Sequence, residues 1–229
     1  MAPTESDTRP LQFELIAGNL CLDFVNTLDD RPSGKPNDLL KGYDDLARFA
    51  SETGILTPAQ ADYLLEKVPP RSDEAEDALG HARNLRETLY AIFSALVQGQ
   101  KVPQIAMDRL NASVHEAALH SRLVQNDERC EWRFDEPGSS FSSILWPIAR
   151  AAAELLASDQ LPFVHACSSP TCQWFFLDTS KNHHRRWCSM RLCGNRTKVR
   201  KFYARKKTGP RKKCLPLRHS NVFSSEVKI

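Results

Sequence analysis

The 229-residue chain has no long apolar run, no recognisable secretory signal and, beyond residue 178, almost no acidic side chain. The first two absences leave no expected membrane span and no exported, disulfide-forming setting, so the expectation is a soluble cytoplasmic protein with reduced thiols. The third divides the molecule. Residues 1–178 hold 15 Lys and Arg against 27 Asp and Glu, whereas residues 179–229 hold 16 basic residues against Glu226 alone. The formal net charge of +3 therefore hides a body of about −12 and a C-terminal end of about +15. An acidic body repels phosphate, while a compact basic patch neutralises several phosphates with salt-dependent affinity, so charge favours nucleic-acid binding through one end only.

Catalytic patterns are also missing. His81, His115, His120 and His165 are scattered, and no Cys or His adjoins an acid or base in a nucleophile arrangement. His115-Glu116 followed by His120 misses the H-E-x-x-H metal motif by one position. The chain reads as a non-enzyme, and no internal repeat is apparent.

The cysteines, seven in all, carry the strongest signal. Cys167, Cys172, Cys188 and Cys193 stand at C-x4-C-x15-C-x4-C beside and within the basic segment. Two short pairs joined by a longer excursion can surround one tetrahedral Zn2+ without a large hydrophobic core, and four thiolates leave no open coordination position. One structural zinc ion per chain is the favoured reading. Four buried apolar cysteines, or a two-bridge disulfide staple, fit a polar segment in a reducing compartment less well. His183 and His184 lie in the excursion as alternative ligands, but with four sulfurs available they read as surface or phosphate-facing residues. Cys21 and Cys130 read as core, and Cys214 as outside the metal set.

Local patterns suggest how this end is built. Phe163-Val164 and Trp174-Phe175-Phe176 read as short strands flanking the turn Ser168-Ser169-Pro170-Thr171, a hairpin knuckle for the first cysteine pair. Ser189 is predicted to cap a helix running to about Lys206, with Cys188 just before it and Cys193 in its first turns. The result is a treble-clef-like finger. Leu192, Val199, Phe202 and Tyr203 are expected to face the knuckle, and Arg191, Lys198, Lys201, Arg205 and Lys206 to stay solvated for phosphate. Arg185 and Arg186 are further phosphate candidates, and Trp187 is expected to pack on the metal core. Gly194 suits close approach of the knuckle backbone. Asn195 suits backbone bracing or an adenine edge, and Arg196 suits loop carbonyls or phosphate and guanine, with bracing favoured for both. After the helix, the basic run at residues 206–213 is broken by Gly209-Pro210 and reads as a flexible arm or a solubilising tail.

The run Cys193-Gly194-Asn195-Arg196 and its surrounding cysteines resemble the CGNR zinc finger family. In members of that family a largely helical ABATE domain precedes the finger, and GNLCLDFVNTLDDR at residues 18–31 resembles its start. The likeness runs from about residue 13 to about residue 207. It implies a stress-induced, DNA-binding transcriptional regulator, and implies neither an operator nor a signal.

The expected fold class is mostly α (α+β): a polar leader at residues 1–10, a helical domain at 11–160, the finger at 161–207 and a basic flexible tail at 208–229. Thr57-Pro58-Ala59-Gln60 has the form of an N-cap, a proline at the first helical position and a capping box, opening a helix through Val68. Helices are also expected from Ser72 to near Gly99, over 103–123 and over 142–157, with a strand at 130–135. Asn26 and Arg31 could hold an anionic or amide-bearing effector, although a helix-capping Asn and a carboxylate-paired Arg are favoured. Double-stranded DNA is the expected partner, with dimerisation over repeated half-sites as one arrangement. An RNA-binding module and a zinc-stabilised protein-interaction domain are the alternatives.

Overall fold

The computed structural model describes residues 12–68, 73–127, 129–135 and 138–208, with the side chains at 201 and 205–208 outside the described set. In chain order it runs through α1 (Leu20–Val25), the two-residue ladder β1 (Leu28–Asp29) and β2 (Asn37–Asp38), α2 (Tyr43–Glu52), α3 (Pro58–Glu66), α4 (Asp73–Val97) and α5 (Gln104–Leu119). There follow the hairpin β3 (Ser121–Asn126) and β4 (Arg129–Phe134), a 3-10 turn (Phe141–Ile144), α6 (Leu145–Leu156), the strands β5 (Val164–Ala166) and β6 (Phe175–Leu177), a π turn (Met190–Gly194) and α7 (Asn195–Thr208). The architecture is mostly α with small antiparallel β ladders.

Helix α4 is the spine of the body. Ala75, Ala78, Leu79, Ala82, Leu85, Leu89, Ile92 and Phe93 recur at three- and four-residue spacings and are all buried, the stripe expected of a helix with one face in the core. α1, α2, α5 and α6 pack around it. α3 begins as expected: Gln60 N donates to Thr57 Oγ1 at 3.3 Å while Gln60 Oε1 accepts from Thr57 N at 2.9 Å, a reciprocal capping box. The cap proposed at Ser72 lies outside the described residues.

Two expectations change. The helix expected over 103–123 stops at Leu119, and Ser121–Asn126 instead pairs antiparallel with Arg129–Phe134, Ser121 facing Phe134 and Asn126 facing Arg129. A strand at 130–135 needs a hydrogen-bonding partner, and pairing across the Asp127 turn overrides the helical continuation. Cys130 on β4 is exposed rather than in the core, whereas Cys21 is buried as expected.

The joint between body and finger is set by strand alternation. Successive side chains of a strand point to opposite faces. In β6, Phe175 and Leu177 enter the main core, where the Phe175 ring meets Tyr90 at 5.6 Å and Phe93 at 6.0 Å between centroids. Trp174 and Phe176 enter a second cluster with the four cysteines. One three-residue strand thus belongs to two cores. Among the described residues no helix is long and apolar enough to cross a membrane.

Candidate metal centre and basic helix

The hairpin β5–β6 presents the first cysteine pair. Cys167 N donates to Trp174 O at 2.8 Å, and the turn closes through Cys172 N to Ser169 O at 3.1 Å. The second pair arrives on the loop and turn before α7. All four Sγ atoms lie within 4.8 Å of one another, with Cys172–Cys188 at 3.7 Å and Cys188–Cys193 at 3.6 Å. A Zn–S bond of about 2.3 Å gives a tetrahedron with S···S edges of about 3.8 Å. The four buried sulfurs fit one Zn2+, which is the cofactor this chain's finger takes. The Cys172 and Cys188 thiols hold Cys167 down toward thiolate, while burial pushes the Cys193 thiol up. Binding therefore displaces protons from the cluster.

His183 is not in the cluster. Its ring stacks on Phe163 at 4.0 Å and its Nδ1 lies 2.9 Å from Asp178 O. His184 is exposed, and Cys214 lies outside the described residues.

Asp178 and Arg185 build the approach to the second pair. Burial opposes ionisation of Asp178, but hydrogen bonds from Ser180 and from Arg185 N–H outweigh it and hold the carboxyl down to about 2. Its Oδ1 accepts from Ser180 N at 2.9 Å and its Oδ2 from Arg185 N at 2.8 Å. The Arg185 guanidinium donates to Trp187 O at 2.9 Å and to Cys188 O, and its centre lies 4.5 Å from the Phe176 ring centroid. Arg185 is therefore spent inside the finger, against the expectation that it faces phosphate. A fork of N–H donors suits two carbonyls of a metal loop, and the loop's path decides this rather than its composition. Trp187 packs against the cysteine cluster as expected, and the exposed Arg186 lies 5.5 Å from its ring.

Ser189 caps the final helical segment. Its Oγ accepts from Leu192 N at 3.3 Å, and its carbonyl accepts from both Cys193 N and Gly194 N at 3.0 Å. A Cβ on Gly194 would stand 2.8 Å from the Met190 sulfur, so the close neighbour is a side chain of the same turn rather than the knuckle backbone. Asn195, Arg196, Lys198 and Arg200 are exposed, and Arg191 is exposed with an ion pair to Glu14 at 3.4 Å. Lys201, Arg205 and Lys206 lie on α7 with side chains outside the described set. Arg200, which was not among the expected contacts, reaches Thr171 Oγ1 at 3.4 Å; its place one turn beyond Arg196 on a basic helix was the available signal.

The apolar face of α7 departs from expectation. Leu192 packs on the cysteine cluster, but Val199, Phe202 and Tyr203 are 53%, 55% and 60% exposed. The finger core ends with the π turn, so the helix extends past the elements that would cover these residues.

Asn26 and Arg31, the candidate effector contacts, both serve the fold. Asn26 ends α1, is buried, and exchanges two hydrogen bonds with the Phe175 backbone at 2.9 and 3.0 Å. Arg31 makes a two-pronged pair with Glu87 at 2.8 and 3.0 Å and lies 3.8 Å over the Tyr90 ring.

Two family models match the chain in the order body then finger. ABATE, described as "putative stress-induced transcription regulator", matches residues 18–159. The CGNR zinc finger matches residues 164–206. Both are regulator or zinc-finger types rather than enzyme families. No individual curated protein matches significantly. With most of its length in the first match and the four-cysteine centre in the second, the chain belongs to the ABATE family and carries a CGNR zinc finger.

Proposed function

We propose that this protein is a DNA-binding transcriptional regulator whose zinc centre presents the basic face of α7 to double-stranded DNA. The observation that carries the reading is the exposure of Asn195, Arg196, Lys198 and Arg200 on one helix whose first turn is pinned beside the metal by Ser189 and Cys193. Fourteen residues at 1.5 Å rise span about 21 Å, and an α-helix fits the major groove. Lys198 and Arg200 supply phosphate contacts, while Asn195 and Arg196 have the donor patterns for adenine and guanine edges. The zinc contributes shape: with four thiolates its shell is complete, and its work is to hold the hairpin and the helix start together. The acidic body stays off the phosphates and fixes which end docks. A single finger buries limited area, so two copies on repeated half-sites supply the remaining affinity.

Selection of the zinc-loaded full-length chain on randomised double-stranded DNA, with a matched RNA pool in parallel, tests this. A recurrent DNA motif supports the reading, and enrichment of RNA alone or of neither pool refutes it.

The exposed Phe202 and Tyr203, their rings edge to face at 5.6 Å, favour a second reading. Exposed aromatics on a basic helix suit stacking on unpaired RNA bases. The same side chains also suit an apolar protein partner, the third function that the zinc and charge allow.

A further inference from the structure

The hairpin β3–β4 forms a two-stranded sheet by itself, so β4 has β3 on one side only. Asp135 N donates to His120 O at 2.7 Å, which makes these two opposed residues a hydrogen-bonded pair. Bonded and non-bonded pairs alternate along an antiparallel ladder. Arg129, Glu131 and Arg133 therefore bond to β3, and the backbone N–H and C=O groups of Cys130, Trp132 and Phe134 point the other way. Among the described residues no hydrogen bond reaches those outward groups. Such an edge is a template for another strand.

Charge blunts an edge when the approaching strand carries the same sign at the facing positions. On the face of β4 opposite to Trp132 the order is Arg129, Glu131, Arg133 and Asp135, all exposed and alternating in sign. Setting this strand antiparallel to its own copy about Trp132 puts Arg129 opposite Asp135 and Glu131 opposite Arg133, each twice. Parallel pairing in register would oppose like charges at every one of these positions. The same two-fold matches the outward-bonding residues, Trp132 with Trp132 and Cys130 with Phe134. Centring on Cys130 instead would draw the turn at Asp127, with φ 48°, into the ladder.

We propose that a second copy of this chain pairs with β4 edge to edge, antiparallel about a two-fold axis at Trp132, to give a continuous four-stranded sheet in the order β3–β4–β4–β3. Within one chain Glu131 already pairs with Arg133, and Arg122 lies 3.7 Å from Asp135. Those pairs are exposed and exchange for pairs between chains with little net gain, so charge sets the register rather than the affinity. Affinity comes from the backbone bonds and from apolar surface. Leu123 and Trp132 oppose one another across the hairpin and are 57% and 56% exposed. In the four-stranded sheet the two Trp132 side chains lie side by side between the two Leu123 side chains, which covers apolar surface that one chain leaves in water. The dimer supplies the second copy that repeated half-sites call for, but it forms without DNA and stands whether or not α7 meets it.

Sedimentation equilibrium of the zinc-loaded full-length chain at micromolar to submillimolar concentration, without nucleic acid, tests the pairing. The parent is expected to dimerise. Glu131→Arg and Arg133→Glu each set like charges opposite one another and are expected to raise the dimer dissociation constant at least about tenfold. An equimolar mixture of the two variants brings opposite charges together again and is expected to dimerise as the parent does, as is the double variant E131R/R133E. All should keep one zinc per chain and the parent's melting temperature, because both positions are exposed. A parent that stays monomeric across the range overturns the proposal, as does a parent dimer that neither single variant weakens. A mixture no tighter than the single variants overturns it too, since the effect would then lie in the Glu131–Arg133 pair within one chain.

Discussion

Asn26 and Phe175, 149 positions apart, exchange a pair of hydrogen bonds: the Asn26 amide donates to Phe175 O at 2.9 Å and accepts from Phe175 N at 3.0 Å. Leu177 N adds a bond to Ala17 O at 2.7 Å. β5 covers one edge of β6, and the body covers the other with a side chain that copies a strand's own hydrogen bonding. The finger is thereby docked on the ABATE domain through backbone as well as through the Phe175 ring.

Asn26→Ala should therefore destabilise the whole chain. It leaves a buried N–H and a buried C=O of Phe175 without partners, a loss of about 2–4 kcal/mol. Chemical denaturation checks this, and a change under about 0.5 kcal/mol would show that the docking does not depend on the pair.

The metal assignment separates the cysteines by position. Ser at any of Cys167, Cys172, Cys188 or Cys193 should lower the zinc content and loosen the finger, whereas Ser at Cys130 or Cys214 should leave one zinc per chain. Elemental analysis of purified variants decides it. Equal zinc in both sets would remove the four-sulfur site.

For Arg185 the structure predicts a role that charge alone cannot fill. Its guanidinium serves the Trp187 and Cys188 carbonyls together, a geometry that an ammonium cannot reproduce. Arg185→Lys should therefore lower thermal stability and zinc retention nearly as much as Arg185→Ala, by about 1.5–3 kcal/mol for the loss of hydrogen bonds from a half-buried guanidinium. If Lys restores the parent behaviour, Arg185 acts through charge instead.

Much of this centre is legible in the chain itself because its determinants are local. The C-x4-C pairs, the Ser189 cap and the Thr57–Gln60 box each act within a few residues, and each forms as expected. What was not legible depends on residues brought together by folding. Nothing near Asn26 indicates that Phe175 will come to it. The segment 121–126 continues a helical pattern until β4 supplies a partner. The spacing of α7 places Val199, Phe202 and Tyr203 on one face, and only the path of the chain shows that all three stay more than half exposed among the described residues.

Acid dependence provides a separate check on the packing. Burial pushes the Asp23 carboxyl up to about 6, outweighing the hydrogen bonds from Ala17 and Ile16 N–H that lower it. A carboxyl raised on folding binds its proton more tightly in the native state. The stability it contributes is full below its unfolded pKa of about 4 and is lost as pH rises to about 6. Asp23→Asn should therefore stabilise the protein at pH 7 by on the order of 2 kcal/mol and add little at pH 4. Thermal melts at the two values test this, and an equal gain at both would show that ionisation is not the cause.

The salt dependence of duplex DNA binding by the zinc-loaded chain tests most directly the proposed contact of nucleic acid with the exposed basic side chains of α7. Removing one side chain that neutralises a phosphate should reduce the slope of log K against log[salt] by about 0.9. Lys198→Ala and Arg200→Ala should each weaken binding and flatten the slope by about that amount, with zinc content unchanged. Parent affinity and parent slope in both variants would contradict the account.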